Sequence, residues 1–260
     1  MRIACALLGA AGAMVGGLTA AHAAAVALVL AVDVSESVST ERYLLQHDGI
    51  ARAFETPPLI DAISAAPGGI EVLVLEWSDP DKIAVTVDWT QVRDRPSAAV
   101  FAAAVRATAR TSHGLTAIGA AMLVAAGMFD HMPEPAGSKV IDVSGDGMAN
   151  FGPSPAAVRD QLVAAGITIN GLAILTEEPW LADYYRDNVI GGPASFCLVA
   201  EGMDTFAEAM LKKLVQEVAG TRLQTTASSP PPDSRPWRAV PGPTRGSPRV
   251  AGRWPDQVRP

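Results

Sequence analysis

Asp33-Val34-Ser35-Glu36-Ser37 places a carboxylate and two hydroxyls at alternate positions, directly after the apolar run Val26–Val32. Residues two apart point the same way while the backbone is extended, so three oxygens can converge from one loop. A second carboxylate, Asp146, lies in Ser144-Gly145-Asp146-Gly147, where the glycines permit a tight turn and close approach of backbone to a ligand. Gly114-Leu115-Thr116-Ala117-Ile118-Gly119 offers another hydroxyl at the start of a helical pattern. Taken singly, Thr116 also reads as a helix N-cap and Asp146 as ordinary turn chemistry. Taken together, these are two carboxylates and three hydroxyls with no nitrogen or sulfur donor. Such hard oxygen ligands suit Mg²⁺, Mn²⁺ or Ca²⁺ and disfavour zinc.

The elements that must position these residues are legible as alternating patterns. Apolar runs rich in β-branched residues predict strands at Val26–Val32, Ile70–Trp77, Ile83–Trp89, Lys139–Val143, Ile167–Leu175 and Ser195–Ala200. Helical patterns fall at Ser39–Phe54, Ser97–Ala109, Thr116–Met128, Pro155–Ala165, Pro179–Val189 and Asp204–Ala219. Strand and helix in alternation predict an α/β fold with three layers: a doubly wound, mainly parallel six-stranded sheet with helices on both faces. The second and third strands are joined only by Ser78-Asp79-Pro80-Asp81-Lys82, too short for a parallel crossover. They must pair antiparallel, which makes one edge strand antiparallel. In such sheets ligands bind beyond the carboxyl ends of the strands, where the strand order reverses. The Asp33 and Asp146 loops both follow predicted strands.

Composition narrows the function classes. At 49% hydrophobic and 18% charged residues, the 260-residue chain is expected to fold around a packed core. Met1-Arg2, the apolar stretch from Ile3 and the small-x-small site Ala21-His22-Ala23 read as a secretory leader over 1–23, cleaved near Ala23. Residues 221–260 hold nine Pro and seven Arg with no apolar period, and read as a disordered tail. The body, 24–220, is therefore acidic. That gives no footprint for nucleic acid and is compatible with a cation site. The expected location is the periplasm or the exterior, with no integral membrane span after cleavage. Cys197 is the one cysteine outside the leader, so an internal disulfide or thiolate zinc site is excluded.

Other chemistry has little support. No G-x-x-x-x-G-K-S/T or G-x-G-x-x-G occurs, so nucleotide binding is not expected. G-x-S-x-G and H-E-x-x-H are also absent, and His47, His113 and His131 have no partnered spacing. A metal-dependent phosphoester hydrolase would want more direct carboxylates and a second metal or a general base. The chain is read as not an enzyme. Trp77 and Trp89 are read as packing residues of the edge hairpin, and Glu36 as a rim charge. Met148, Asn150 and Glu177-Glu178 lie where they would rim the site, although ordinary loop polarity explains them as well.

Asp33-x-Ser35-x-Ser37, Thr116 and Asp146-Gly147, in that order, resemble the metal-ion-dependent adhesion site of von Willebrand factor A domains. The resemblance covers essentially all of 24–220. Leu75-Glu76-Trp77-Ser78 and Val140-Ile141-Asp142-Val143-Ser144-Gly145-Asp146-Gly147 further resemble a branch of secreted bacterial A-like proteins with no assigned function. The resemblance implies that Ser35, Ser37 and Thr116 bind Mg²⁺, or Mn²⁺ or Ca²⁺, through hydroxyls, with Asp33 and Asp146 acting largely through bound waters. It implies a divalent-cation-dependent binder of the bacterial cell envelope, whose open coordination position takes an Asp or Glu carboxylate from a partner protein. A structural or assembly protein without metal-dependent binding is the alternative. Asp142 departs from the apolar residue usual at its position and is read as a structural hydrogen bonder, because a charge on a buried strand needs a partner.

Overall fold

A strand that is apolar along its whole length must be covered on both faces. The run Ala24–Asp33 forms such a strand, β1, with all but Ala25 buried. The structure, a computed structural model, describes residues 23–225 apart from Glu177, and no side chains in 221–225. The readings made for the leader and for most of the tail lie outside the described residues. Five further strands follow: β2 (Ile70–Trp77), β3 (Ile83–Val92), β4 (Ala136–Gly145), β5 (Ile167–Ile174) and β6 (Cys197–Ala200). They form one sheet in the order β3-β2-β1-β4-β5-β6, parallel except for the β2–β3 pair. The antiparallel edge expected from the five-residue connection is present.

Seven helices occur among the described residues: α1 (Thr40–Glu55), α2 (Pro57–Ser64), α3 (Arg95–Ala107), α4 (Ile118–Met128), α5 (Pro155–Ala164), α6 (Leu181–Asn188) and α7 (Phe206–Thr225). One layer, α1, α2, α3 and α7, packs Ile50, Phe54, Leu59, Phe101, Phe206 and Leu214 onto Leu28 and Leu30 of β1. The other, α4 to α6, packs Ile118, Met122, Leu162 and Leu181 onto Val29 and Ile141. The alternation of β1 therefore feeds two separate cores. No helix among the described residues is long and apolar enough to cross a membrane.

Two differences from the sequence expectation have local causes. The helix α2 is additional. Thr56 precedes Pro57, which forces it to an extended conformation (φ −84°, ψ 142°) and ends α1; the same proline then starts α2 at its first turn. The helix expected from Thr116 begins instead at Ile118, with Ala117 as its N-cap and no side-chain cap, so Thr116 does not act as an N-cap. The last helix also continues to Thr225, past residue 220.

Asp142 faces the α7 side of the sheet, where it meets Lys213 Nζ at 2.6 Å; Lys213 also donates to Glu217 at 2.6 Å, and Asn170 Nδ2 donates to Glu217 at 2.8 Å. All four side chains are buried. Burial opposes the Lys213 charge, but the two carboxylates outweigh it and hold the ammonium pKa above its ordinary value. Burial pushes the Glu217 carboxyl up to about 7 despite Lys213. Asp142 is thus a structural partner, as expected, but its partner is an ammonium. Removing that partner leaves two carboxyls in the core. Lys213→Met is expected to destabilise the protein by roughly 3–5 kcal/mol at pH 8, the usual cost of breaking a buried pair. Denaturant unfolding should show that loss shrinking toward pH 5, where both carboxyls can take up protons.

Candidate metal centre

The strand order reverses at β1, which sends the chain to β2 on one side and receives β4 on the other. The crevice at the carboxyl ends of β1 and β4 holds the two acidic loops. Asp33 ends β1 completely buried, and its Oδ1 accepts the backbone N–H of Ser35 at 2.7 Å. This local turn reverses the chain so that the Ser35 and Ser37 hydroxyls meet at 3.2 Å. Ser37 then donates to Asp146 Oδ1 at 2.5 Å, joining the β1 loop to the β4 loop.

Gly145 makes that junction possible. A Cβ there would lie 2.8 Å from Asp33 Oδ2 and 2.8 Å from Tyr185 Oη. Both of these oxygens are buried and take no hydrogen bond among the described residues. Asp33 Oδ2 is an interior acceptor with no well-aligned donor among the described residues, the Asp146 N–H being the nearest backbone donor to act on this carboxyl. Burial, helped by the nearby Asp146 charge, raises the Asp33 carboxyl to about 7 despite hydrogen bonding from Ser35 and the nearby Asp146 N–H. Burial likewise pushes the Tyr185 phenol up.

Thr116 reaches the crevice on a loop pinned from both sides. Its N–H donates to Asn150 Oδ1 at 2.9 Å, and its C=O accepts from the Asn150 N–H at 3.1 Å. Leu115 N–H donates to Asp79 Oδ1 at 2.6 Å, and Glu36 N–H donates to Gly114 C=O at 2.9 Å. The Thr116 hydroxyl faces Gly147, 4.0 Å from where a Cβ on that residue would sit. Asp33, Ser35, Ser37, Thr116 and Asp146 are therefore gathered in one crevice from three loops, all buried except Ser37. Glu36 is exposed at the rim, Asn150 acts through its backbone clamp on Thr116, and Glu177 lies outside the described residues.

Several residues that brace the crevice lie outside the adhesion-site motif. Arg110 donates through Nη2 to the carbonyls of Val34 (2.6 Å) and Ser35 (2.9 Å), fixing the Asp33 loop. Glu76, at the end of β2, accepts from Tyr43 Oη (3.0 Å) and from the Thr111 N–H (2.8 Å) and hydroxyl (2.7 Å), with His47 Nε2 at 3.0 Å. Burial pushes the Glu76 carboxyl up, but these donors outweigh it and hold it below the ordinary glutamate value. Arg42, in the first turn of α1, donates through Nη1 to the Ser37 carbonyl at 2.9 Å and to Asp146 Oδ2 at 3.3 Å.

The donor set fits a hard divalent cation. It offers neutral hydroxyls, two carboxylates and one buried oxygen short of a partner, with no imidazole or thiolate. Among the described residues no group of three or more His, Cys, Asp or Glu side chains could hold a metal ion, so any such centre here depends on the hydroxyls.

The family described as "Protein of unknown function (DUF1194)" matches residues 23–222. No curated protein matches the chain. Solved structures show the fold. The von Willebrand factor type A protein of Catenulispora acidiphila is 18% identical with a TM-score of 0.53, covering 75% of this chain and 42% of its own. Proximal thread matrix protein 1 from the mussel byssus, with its adhesion-site motif occupied by zinc, is 16% identical with a TM-score of 0.53 over 74% of this chain. The pilus adhesin SpaC from Lactobacillus rhamnosus GG, in its open conformation, is 13% identical with a TM-score of 0.54, covering 74% of this chain and 30% of its own. The chain spans about half the length of the mussel structures, 48% in one crystal form and 46% in the zinc-occupied one. The fold is that of von Willebrand factor type A domains.

A buried carboxyl with a raised pKa has a stability signature. The folded state keeps the Asp33 proton up to about pH 7, whereas the unfolded chain releases it near the ordinary value. Without divalent ions, the Asp33 contribution to stability therefore falls as pH rises from about 4 to about 7 and then levels off. Asp33→Asn keeps an acceptor for Ser35 and removes the charge. Thermal unfolding in chelator at pH 8 should find it more stable than the natural chain, by on the order of 1–2 kcal/mol.

Proposed function

The chain belongs to the DUF1194 family and has the von Willebrand factor type A fold, and from that premise we propose that it is a divalent-cation-dependent protein-binding domain of the bacterial cell envelope. The observation that carries this reading is Asp33 Oδ2: a buried, unpartnered carboxylate oxygen in the same crevice as three hydroxyls and a second carboxylate. Ser35, Ser37 and Thr116 would hold the ion through hydroxyls, and Asp33 and Asp146 would balance its charge from behind. When bound, the ion supplies an electropositive position open to a partner's Asp or Glu carboxylate. Neutral hydroxyls leave that charge incompletely cancelled, which favours an added anionic ligand. We take Mg²⁺ as the ion, with Mn²⁺ or Ca²⁺ as substitutes; the zinc in the mussel protein keeps zinc among the ions to be compared.

The loops that carry the site also carry exposed apolar side chains. Leu115 precedes Thr116, Phe151 follows Asn150, and Trp180 lies on the loop after β5; each is 44–55% exposed. Exposed aromatics on the loops of a binding site suit contact with apolar residues of a partner. Location in the periplasm or outside the cell rests on the leader pattern. The reading assigns no turnover to the site.

Arg42 favours a second reading. Its guanidinium already supplies a positive charge to Asp146, which would suit a structural domain that needs no ion. The two readings separate on thermal unfolding after chelation, with Mg²⁺, Mn²⁺, Ca²⁺ or Zn²⁺ returned singly. A ligand of the native state alone raises stability by about 2.7 kcal/mol at a hundred times its Kd. The midpoint of the natural chain is expected to climb with the logarithm of ion concentration, and that of Asp33→Ala to stay flat. No shift at millimolar concentration with any ion would move the structural reading to first place. Ion-dependent turnover of a generic phosphoester would make the site a hydrolase.

A further inference from the structure

We propose that Arg42 is a tethered counter-cation of this crevice, which competes with the divalent ion for Asp146 and so sets the affinity of the site. The inference rests on the metal-binding reading above and adds its regulation. Arg42 Nη1 lies 3.3 Å from Asp146 Oδ2 and 2.9 Å from the Ser37 carbonyl, while the other oxygen of Asp146 takes the Ser37 hydroxyl at 2.5 Å. The guanidinium is thus docked on the carboxylate and the serine that the ion would use. Asp146 is fully buried, whereas the Arg42 side chain is 28% exposed, so the arginine is the partner with a path to water.

The position of Arg42 on its helix makes it a poor permanent resident. With Ser39 as N-cap, Arg42 stands in the first turn of α1, where the unpaired N–H groups already present positive charge. A cation there is disfavoured by the helix and held by Asp146. A divalent ion between Ser37 and Asp146 would lie within a few ångströms of the guanidinium, and two like charges at that distance repel strongly in a partly buried site. Ion entry and departure of Arg42 from Asp146 are therefore coupled. The coupling is reciprocal: whatever stability Arg42 gives the ion-free protein is subtracted from the gain on ion binding.

Direct titration of the full chain with Mn²⁺ tests this, with free ion counted by its paramagnetic resonance signal, beside Arg42→Gln and Arg42→Lys. Arg42→Gln keeps a donor for the Ser37 carbonyl and removes the charge. It is expected to bind Mn²⁺ about 5- to 30-fold more tightly than the natural chain. Arg42→Lys keeps the charge and should stay closer to the natural chain. In chelator, Arg42→Gln should melt below the natural chain, and the two midpoints should converge at saturating Mn²⁺. Equal or weaker Mn²⁺ binding by Arg42→Gln, with the natural chain binding, overturns the competition and leaves the metal site standing. Absence of binding in all three proteins overturns both. Binding by Arg42→Gln alone is the competition at its strongest.

Discussion

The structure turns on where the central strand ends. β1 is flanked by β2 and β4 and covered by helices on both faces, so Asp33, its last residue, is delivered into the interior at the point where the sheet reverses order. A carboxylate there must be answered by donors or by a cation. One oxygen is answered by Ser35, and the other is not. The surrounding loops do not relax to supply the missing donor, because each is fixed by other bonds. Arg110 holds the carbonyls of 34 and 35, Asn150 clamps both backbone groups of Thr116, and Gly145 leaves the gap that Asp33 Oδ2 and Tyr185 Oη share.

The same sheet shows how this chain treats a buried charge that has only a structural role. Asp142 also lies in the interior, but Lys213 meets it at 2.6 Å and Glu217 and Asn170 extend the network. Glu76, at the end of β2, collects donors from Tyr43 and Thr111, with His47 Nε2 at 3.0 Å. Asp33 differs from these in that no lysine, arginine or histidine meets it among the described residues. Arg42 supplies a cation to the crevice but reaches Asp146 and not the open oxygen of Asp33. Of the two carboxylates, Asp146 has the Arg42 guanidinium and the Ser37 and Thr176 hydroxyls against it, whereas Asp33 has no cation among the described residues.

Much of this was legible in the sequence. The sheet class followed from alternation, and the antiparallel edge from a five-residue connection that no crossover can fit. The Asp33, Ser35 and Ser37 oxygens stand out in the sequence by their period of two, but β1 ends at Asp33 and a turn, not extended backbone, brings the two hydroxyls together. Asp146 was readable because it follows a predicted strand, and Thr116 because it stands at the start of a helical pattern. The bracing residues were not. Arg42, Arg110, Glu76 and Asp79 act through contacts distant in sequence, and no local spacing distinguishes them from surface charges. Lys213 and Glu217 left a faint signal: they share the apolar stripe of α7 with Met210, Leu214 and Val218. Polar residues on such a stripe, with Asp142 on a buried strand, imply an internal ion pair. α2 was missed because its eight residues begin with two prolines, which read as a break although proline is favoured in a helix's first turn.

The central claim is that the β1 and β4 loops form a centre for a hard divalent ion. Its most direct test is an anomalous difference map from crystals of the protein soaked in Mn²⁺, measured near the manganese edge. The account predicts one strong peak within the crevice, with the hydroxyls of Ser35 and Ser37 as direct ligands at about 2.2 Å, and the Arg42 guanidinium moved off Asp146. Manganese absent from the crevice at millimolar concentration, with Arg42 still seated on Asp146, would contradict it.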